Sequence, residues 1–256
     1  MPVMPGAEAF SHQGGATGVL LCHGFTGSPQ SLRPWAEYLA AAGLSVSLPR
    51  LPGHGTTWQE MARTRWEDWF AEADRAFEEL RGWSEEIFVM GLSMGGCLAL
   101  RLAELHGPAV SGLVLVNPSV TADTKLFALA PLLKLLVPSL KGIASDIKKE
   151  QASELGYTRV PVKAAATLPG LWRTTRDHLD ELTQPVLVYR SSTDHVVGPA
   201  SLEVLRGALP ESQLEVRELR NSYHVATLDN DAEVIFTGSL EFVQAHTRVG
   251  RESGRE

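Results

Sequence analysis

Two rhythms of apolar and polar positions alternate along the chain. Short, almost continuously apolar runs read as strands buried on both faces: GVLLC (18–22), LSVSLP (44–49), EIFVMG (86–91), AVSGLVLVNP (109–118), PVLVYRSS (185–192) and SQLEVREL (212–219). Between them, apolar residues recur three and four apart over 28–43, 66–81, 93–107, 198–209 and 231–246, the spacing of amphipathic helices. Ser28 and Pro29 read as the cap and first position of one helix, Gly43 as its end, and Gly107 as the end of another. Strand–helix alternation of this kind predicts an α/β fold, a mostly parallel sheet covered by helices on both faces.

Residues 119–184 break the rhythm and show no clear strand. A structureless loop of that length is uncommon inside a compact domain, so a small helical cap inserted in the core is predicted. The core then comprises 1–118 and 185–256, and the cap 119–184. The polar tail from 248 is expected to fray.

Composition narrows the function without naming it. With 256 residues, 44% hydrophobic and 21% charged, the chain suits one or two globular domains. A net charge of -7 argues against nucleic acid as a partner, because gripping phosphates needs an excess of cations. MPVMPGAEAF at the start has neither the basic residues nor the apolar run of a secretory signal. Two cysteines, Cys22 and Cys97, make no disulfide scaffold and read as buried thiols in a reducing compartment, the cytoplasm. No Cys/His cluster has zinc-ligand spacing, and neither metal nor organic cofactor is expected. The most apolar stretch, 126–140, is shorter than the ~20 residues of a membrane span and is broken by Pro131, Lys134 and Pro138; it reads as a covering or interfacial segment.

The chemistry gathers at strand ends. Gly91-Leu92-Ser93-Met94-Gly95 fits G-x-S-x-G between an apolar strand and an Ala/Leu-rich helix, the setting a nucleophile elbow requires. There a serine hydroxyl projects from a strained turn, and glycines remove side chains that would clash. A plain strand-to-helix turn with a capping serine is the competing reading. A serine needs a base, and the base an orienting acid. Asp194 follows the strand PVLVYR and His224 lies in the loop after SQLEVREL, so both fall at the sheet edge where Ser93 sits. The order Ser93, Asp194, His224 is the order this type of site uses. His195 reads as structural and Asp229 as a helix cap. His23-Gly24-Phe25-Thr26-Gly27 follows the first core strand, where the amides of Phe25 and Met94 can converge on an oxyanion. His23 and the turn Pro52-Gly53-His54-Gly55 read as structural.

Taken together, HGFTGSP, LPGHG, GLSMGG, STDHVV and YHVATLD resemble the α/β-hydrolase superfamily, in particular bacterial carboxylesterases and monoacylglycerol lipases. The resemblance runs from about Gly18 to His246. It implies the α/β-hydrolase fold with a helical cap and a serine esterase whose triad falls on Ser93, Asp194 and His224, with oxyanion amides on Phe25 and Met94. The expected substrates are short- to medium-chain monoesters, monoacylglycerols among them.

Within the cap, Leu126, Phe127, Leu129, Leu132, Leu133, Leu135, Leu136 and Val137 either line an acyl tunnel or pack the cap onto the core. Trp172 is a further candidate lining residue. Glu154 is a candidate acceptor for leaving-group hydroxyls, against the reading of a solvated helix face. The expected partner is a small ester or lipid, with transient contact between the apolar cap and a membrane or micelle. The same triad serves a thioesterase, an acyltransferase or a perhydrolase, and the sequence does not separate these. A non-catalytic binding protein of the same fold is the reading from another class, and retention of all three triad residue types counts against it. Ser rather than Asp at the elbow excludes a haloalkane dehalogenase.

Overall fold

The computed structural model describes residues 1–122, 137–142 and 145–247. Strands β1 (Phe10–His12), β2 (Thr17–Cys22), β3 (Ser45–Leu48), β4 (Glu86–Leu92) and β5 (Val110–Val116) precede a separate pair, β6 (Ser139–Lys141) and β7 (Arg159–Pro161). Strands β8 (Val186–Ser191) and β9 (Leu214–Leu219) follow. Seven of them form one sheet in the order β1-β3-β2-β4-β5-β8-β9. Every neighbouring pair is parallel except β1 with β3. The six strands read from the sequence are all present. The seventh, β1, is three residues long and half-exposed, too short for alternation to register.

The apolar runs are explained by burial on both faces. Leu20 and Cys22 of β2 enter one apolar cluster with Val89, Leu113, Leu115 and Val188. Their neighbours Val19 and Leu21 enter the opposite cluster with Phe88, Met90, Val114, Val116 and Leu187. Successive residues of a strand point to opposite sides, so a strand in mid-sheet must be apolar at every position.

Helices α1 (Arg33–Ala41), α2 (Trp58–Met61), α3 (Trp66–Arg81) and α4 (Met94–His106) lie between the first five strands. The first cluster is covered by α3, through Trp69, Ala73, Ala76, Phe77 and Leu80, and by α4. Those spacings form one stripe. Removing a ring such as Trp69 is expected to cost about 3–5 kcal/mol. The second cluster is covered by α1, through Trp35, Ala36 and Leu39, and by the last helix (Ala232–His246).

Residues 28–43 start as a 3-10 turn, Pro29–Leu32, before α1. Ser28 stands at the N-cap with Pro29 after it, as read, but its hydroxyl makes no capping bond and donates instead to the Leu155 carbonyl at 2.7 Å. Gly43 ends the helix with φ +89, as read.

Within 119–184 lie helices α5 (Val162–Ala165) and α6 (Leu168–Arg176). The same segment also holds the antiparallel pair β6–β7, with Leu140 opposite Val160, where the pattern suggested no strand. Three residues per strand leave no periodicity to read. Helix α6 buries Leu168, Leu171 and Trp172 in the cluster that α3 and α4 cover, and the Cys97 thiol of α4 donates to Thr175 at 3.4 Å. Helices α7 (Ala200–Ala208) and α8 (Ala232–His246) complete the chain order. Because the central strands are parallel, their carboxyl ends share one edge, and the loops leaving β2, β4, β5, β8 and β9 meet there.

Candidate active site

At the end of β4 the chain turns sharply into α4, and Ser93 at the turn has φ 57 and ψ -119. That backbone conformation is strained for any residue with a Cβ. The turn is held by Ser93 N–H donating to the Val116 carbonyl at 3.0 Å and by the Ser93 carbonyl accepting from Gly96 and Ser119 at 3.0 and 3.1 Å. The flanking glycines are steric necessities. A Cβ on Gly91 would lie 2.2 Å from the Gly95 carbonyl oxygen, and one on Gly95 would lie 1.9 Å from the carbonyl oxygen of Cys22. Strand and helix therefore approach backbone to backbone, which presses the serine outward. Among the described residues its hydroxyl makes no hydrogen bond, and it opens into a cavity of about 430 Å³.

Asp194 and His224 line the same cavity. His224 Nδ1 is 2.9 Å from Asp194 Oδ2. The other carboxylate oxygen accepts the amides of Val196 and Val197 at 2.9 and 2.8 Å. Burial pushes the Asp194 carboxyl up, but His224 and these two amides outweigh it and hold it below the usual range. Asp194 is therefore ionised and acceptor-only, which directs the Nδ1 proton of His224 toward it and leaves Nε2 with a lone pair. Arg190 was not singled out in the sequence. Its guanidinium donates to Asp194 Oδ2 at 2.9 Å and to the Val197 carbonyl at 2.6 Å, clamping the Asp194 loop.

Three further side chains hold the His224 loop, and none was read as a site residue. Asn117, at the end of β5, is buried with φ 45, a conformation asparagine tolerates better than most residues. Its Nδ2 donates to the His224 carbonyl and to Ser191 Oγ, both at 2.9 Å, and its Oδ1 accepts the Ser191 amide at 2.8 Å. Asp146 accepts the His224 amide at 3.1 Å and His195 Nδ1 at 2.7 Å. Asp229 is buried and accepts the amides of Lys148, Lys149, Tyr223 and Asn230 at 2.7–2.9 Å. It is not the cap of the last helix, where Asp231 stands; its carboxylate is consumed by loop amides instead. His195, read as structural, is half-exposed, lines the cavity and rests edge-on against Tyr223.

Phe25 lies in the loop after β2, and Met94 is the first residue of α4. Both line the cavity beside Ser93. Among the described residues neither amide meets an acceptor, and the Met94 N–H belongs to the first turn, which has no intrahelical partner. Two free amides, one of them at a helix N-terminus, are what a developing oxyanion needs. Buried His23 sets the loop: its Nε2 accepts the Leu51 amide at 3.2 Å and its Nδ1 lies 3.0 Å from the Gly24 carbonyl. Burial pushes its pKa down to about 4, so it is neutral. His54 packs edge-on against His23, Phe25 and Trp69 and is held low by burial as well. Both therefore support the loop from below.

Glu154 and Trp172 also line the cavity, with Val160 and Leu168. Glu154 is no solvated face. Its Oε1 lies 2.5 Å from where a Cβ on Gly27 would be, and burial pushes its pKa up to about 7 with His224 drawing it back. Leu129 and Leu133, with the other apolar residues of 126–136, lie outside the described residues. Cys22 and Cys97 are buried, and burial raises both thiols to about 12, too high for a nucleophile at neutral pH. Among the described residues no three His, Cys, Asp or Glu side chains form a metal-ligand group, and no helix is long and apolar enough to cross a membrane.

Comparison with known proteins bears on this geometry. Residues 16–231 match the family described as "Serine aminopeptidase, S33". The chain is 43% identical over 246 residues to a thermostable monoacylglycerol lipase of Bacillus sp. (strain H-257), covering 96% of this chain and 97% of that protein. It is 25% identical to a carboxylesterase of Bacillus subtilis (strain 168), covering 93% and 96%. A solved structure from work on the metagenome-derived lipolytic enzymes LipS and LipT superposes with a TM-score of 0.92 at 40% identity, covering 96% of this chain and all of that one.

Proposed function

The chain belongs to the serine aminopeptidase S33 family within the α/β-hydrolase superfamily, and from that premise we propose that this carboxylic ester hydrolase acts on monoacylglycerols and other short- to medium-chain monoesters. The family description names a peptidase. The relative at 43% identity, matched over nearly the whole of both chains, is a lipase, and that favours esters.

In the reaction, His224 Nε2 takes the proton of Ser93 Oγ as the oxygen attacks the ester carbonyl carbon. Negative charge moves onto the carbonyl oxygen, held by the amides of Phe25 and Met94. Asp194 stabilises the imidazolium. The tetrahedral species collapses, the ester C–O bond breaks, and His224 gives its proton to the departing alcohol. Water repeats the sequence, freeing the acid and restoring the Ser93 hydroxyl. The observation that carries this reading is the 2.9 Å Asp194–His224 contact in the cavity into which Ser93 opens from a strained turn. Catalytic hydrogen bonds of this kind tighten as substrate is bound, so the Ser93–His224 bond belongs to the substrate complex. Ser93→Ala is expected to abolish turnover of a p-nitrophenyl ester, by a factor of roughly 10⁴ or more. Retained activity rejects the assignment.

Glu154 is the proposed acceptor for the glycerol hydroxyls, and Val160, Leu168 and Trp172 form the apolar wall. Comparing glyceryl with methyl esters in Glu154→Ala tests this; an unchanged preference rejects it. Exposed Leu140 and Val196, the latter at the cavity wall, support transient contact of this face with a micelle or membrane. The two free buried thiols support a cytoplasmic location.

A further inference from the structure

The segment from 145 to 157 places Asp146 and Glu154 on the cavity wall and is bonded to the loops of Phe25, His195 and His224. Tyr157 N–H donates to the Thr26 carbonyl at 2.9 Å, and the Leu155 carbonyl accepts from Ser28, so this end holds the loop of Phe25. At the other end stands Asp146, whose side chain is only 9% exposed. Its Oδ1 meets His195 Nδ1 at 2.7 Å, and its Oδ2 accepts the His224 amide at 3.1 Å and the His195 amide at 3.2 Å. The Asp146 carbonyl accepts the Val225 amide at 3.0 Å. Asp229 makes the reciprocal link, from the His224 loop back to Lys148 and Lys149.

His224 belongs to no strand or helix. Its place is set by three attachments: ring to Asp194, carbonyl to Asn117, amide to Asp146. The first two partners come from strand ends of the core. The third comes from the insertion. An ionised carboxylate accepting several N–H groups is a strong anchor, and a buried amide deprived of its acceptor drives the loop toward water.

We propose that Asp146 is a positioning residue for ester hydrolysis, through which the inserted segment holds the backbone of His224 in register with Ser93. The proposal rests on His224 acting as the base. Proton transfer in both half-reactions depends on the distance from His224 to Ser93 and to the leaving oxygen, and a displacement of about 1 Å costs on the order of 100-fold. Ground-state binding of the ester does not pass through that amide.

The test uses the full chain with Asp146→Asn, Asp146→Ala and His224→Ala, measuring kcat and KM on p-nitrophenyl butyrate from pH 5 to 9, with a thermal melt of each protein. Both Asp146 variants are expected to lose roughly 10- to 100-fold in kcat with KM within about twofold, at temperatures well below their melts. The ionisable groups facing His224 are Asp194 and Arg190 from β8 and its loop, Asp146 and Glu154 from the insertion, and His195 and Tyr223. Removing the Asp146 carboxylate takes a negative charge from beside the imidazolium, so the acid limb of kcat/KM in Asp146→Asn moves to lower pH. A role confined to folding would lower the melt and leave that limb in place. If Asp146→Ala does not fold, the limb of Asp146→Asn decides. An unmoved limb with kcat within twofold of the parent overturns the proposal, as does a raised KM at unchanged kcat. Activity retained by His224→Ala overturns instead the triad reading on which it stands.

Discussion

Asn117 Nδ2 donates to the carbonyl of His224 at 2.9 Å, tying the end of β5 to a loop 107 residues further along the chain. The same side chain brackets Ser191, the last residue of β8, through its amide and its hydroxyl. One amide group thus couples the ends of β5 and β8 to the His224 loop. Asn117→Gly tolerates the positive φ but loses every one of these bonds. It is expected to lower kcat by roughly 10-fold or more and stability by ~2–3 kcal/mol. Steady-state kinetics and urea unfolding measure both; a parental kcat in Asn117→Gly removes the residue from the positioning network.

Gly95 and Gly207 make a contrasting pair. A Cβ on Gly95 runs into the backbone of Cys22 and His23, whereas one on Gly207 meets nothing within 4 Å. Gly95→Ala is expected to cost more than ~4 kcal/mol or prevent folding, because backbone cannot step aside. Gly207→Ala, inside helix α7, should stabilise by about 0.5–1 kcal/mol. Chemical denaturation of the two variants checks the difference in sign.

Arg190 and His224 donate to one oxygen of Asp194, each at 2.9 Å. In the proposed mechanism the guanidinium opposes the charge that His224 gains during proton transfer, while its bond to the Val197 carbonyl holds the Asp194 loop. Arg190→Met should therefore move the acid limb of kcat/KM to higher pH, since the imidazolium loses a repelling cation. It should also lower kcat about 10-fold as the loop loosens. A pH–rate profile with a limb that stays put, or moves down, contradicts this.

Glu154 carries a pH dependence of its own. Burial raises its carboxyl to about 7 in the folded chain, against 4.5 for a free side chain. Between those values the folded state holds a proton that the unfolded state has released. Its contribution to stability is thus complete below about 4.5 and is lost as pH rises through about 7. Glu154→Gln removes that penalty and should be the more stable protein at pH 8, by up to roughly 3 kcal/mol. Thermal melts at pH 5 and pH 8 test it; equal differences at both pH values would contradict it. In substrate choice, ionisation makes Glu154 a better acceptor, so preference for glyceryl over methyl esters should rise from pH 6 to pH 8 and stay flat in Glu154→Gln.

Much of the fold lies in local pattern. The six long strands and five main helices follow from runs and spacings a few residues wide, because burial on two faces or on one stripe leaves a mark at every turn or pleat. Strand β1 and the pair β6–β7 escaped, since three residues leave no period. Ser93 was legible for a similar reason: the elbow is built within five consecutive residues, and its glycines answer to contacts that any such turn must make.

The supporting residues were not legible. Asp146, Asn117, Asp229 and Arg190 are ordinary loop or strand-end residues in the sequence, and Asp229 even read as a helix cap. Their partners lie far along the chain: His224 is 78 residues from Asp146, and Lys148 is 81 residues from Asp229. Sequence by itself determined the layered sheet, its direction and the residue types gathered at its carboxyl edge, because these follow from short-range burial and turn chemistry. Tertiary structure alone decided which carboxylates face amides and which face an imidazole, and that the segment around Asp146 reaches the backbone of His224. Hydrogen bonds to loop peptide groups have no periodicity and come into being only when distant segments meet.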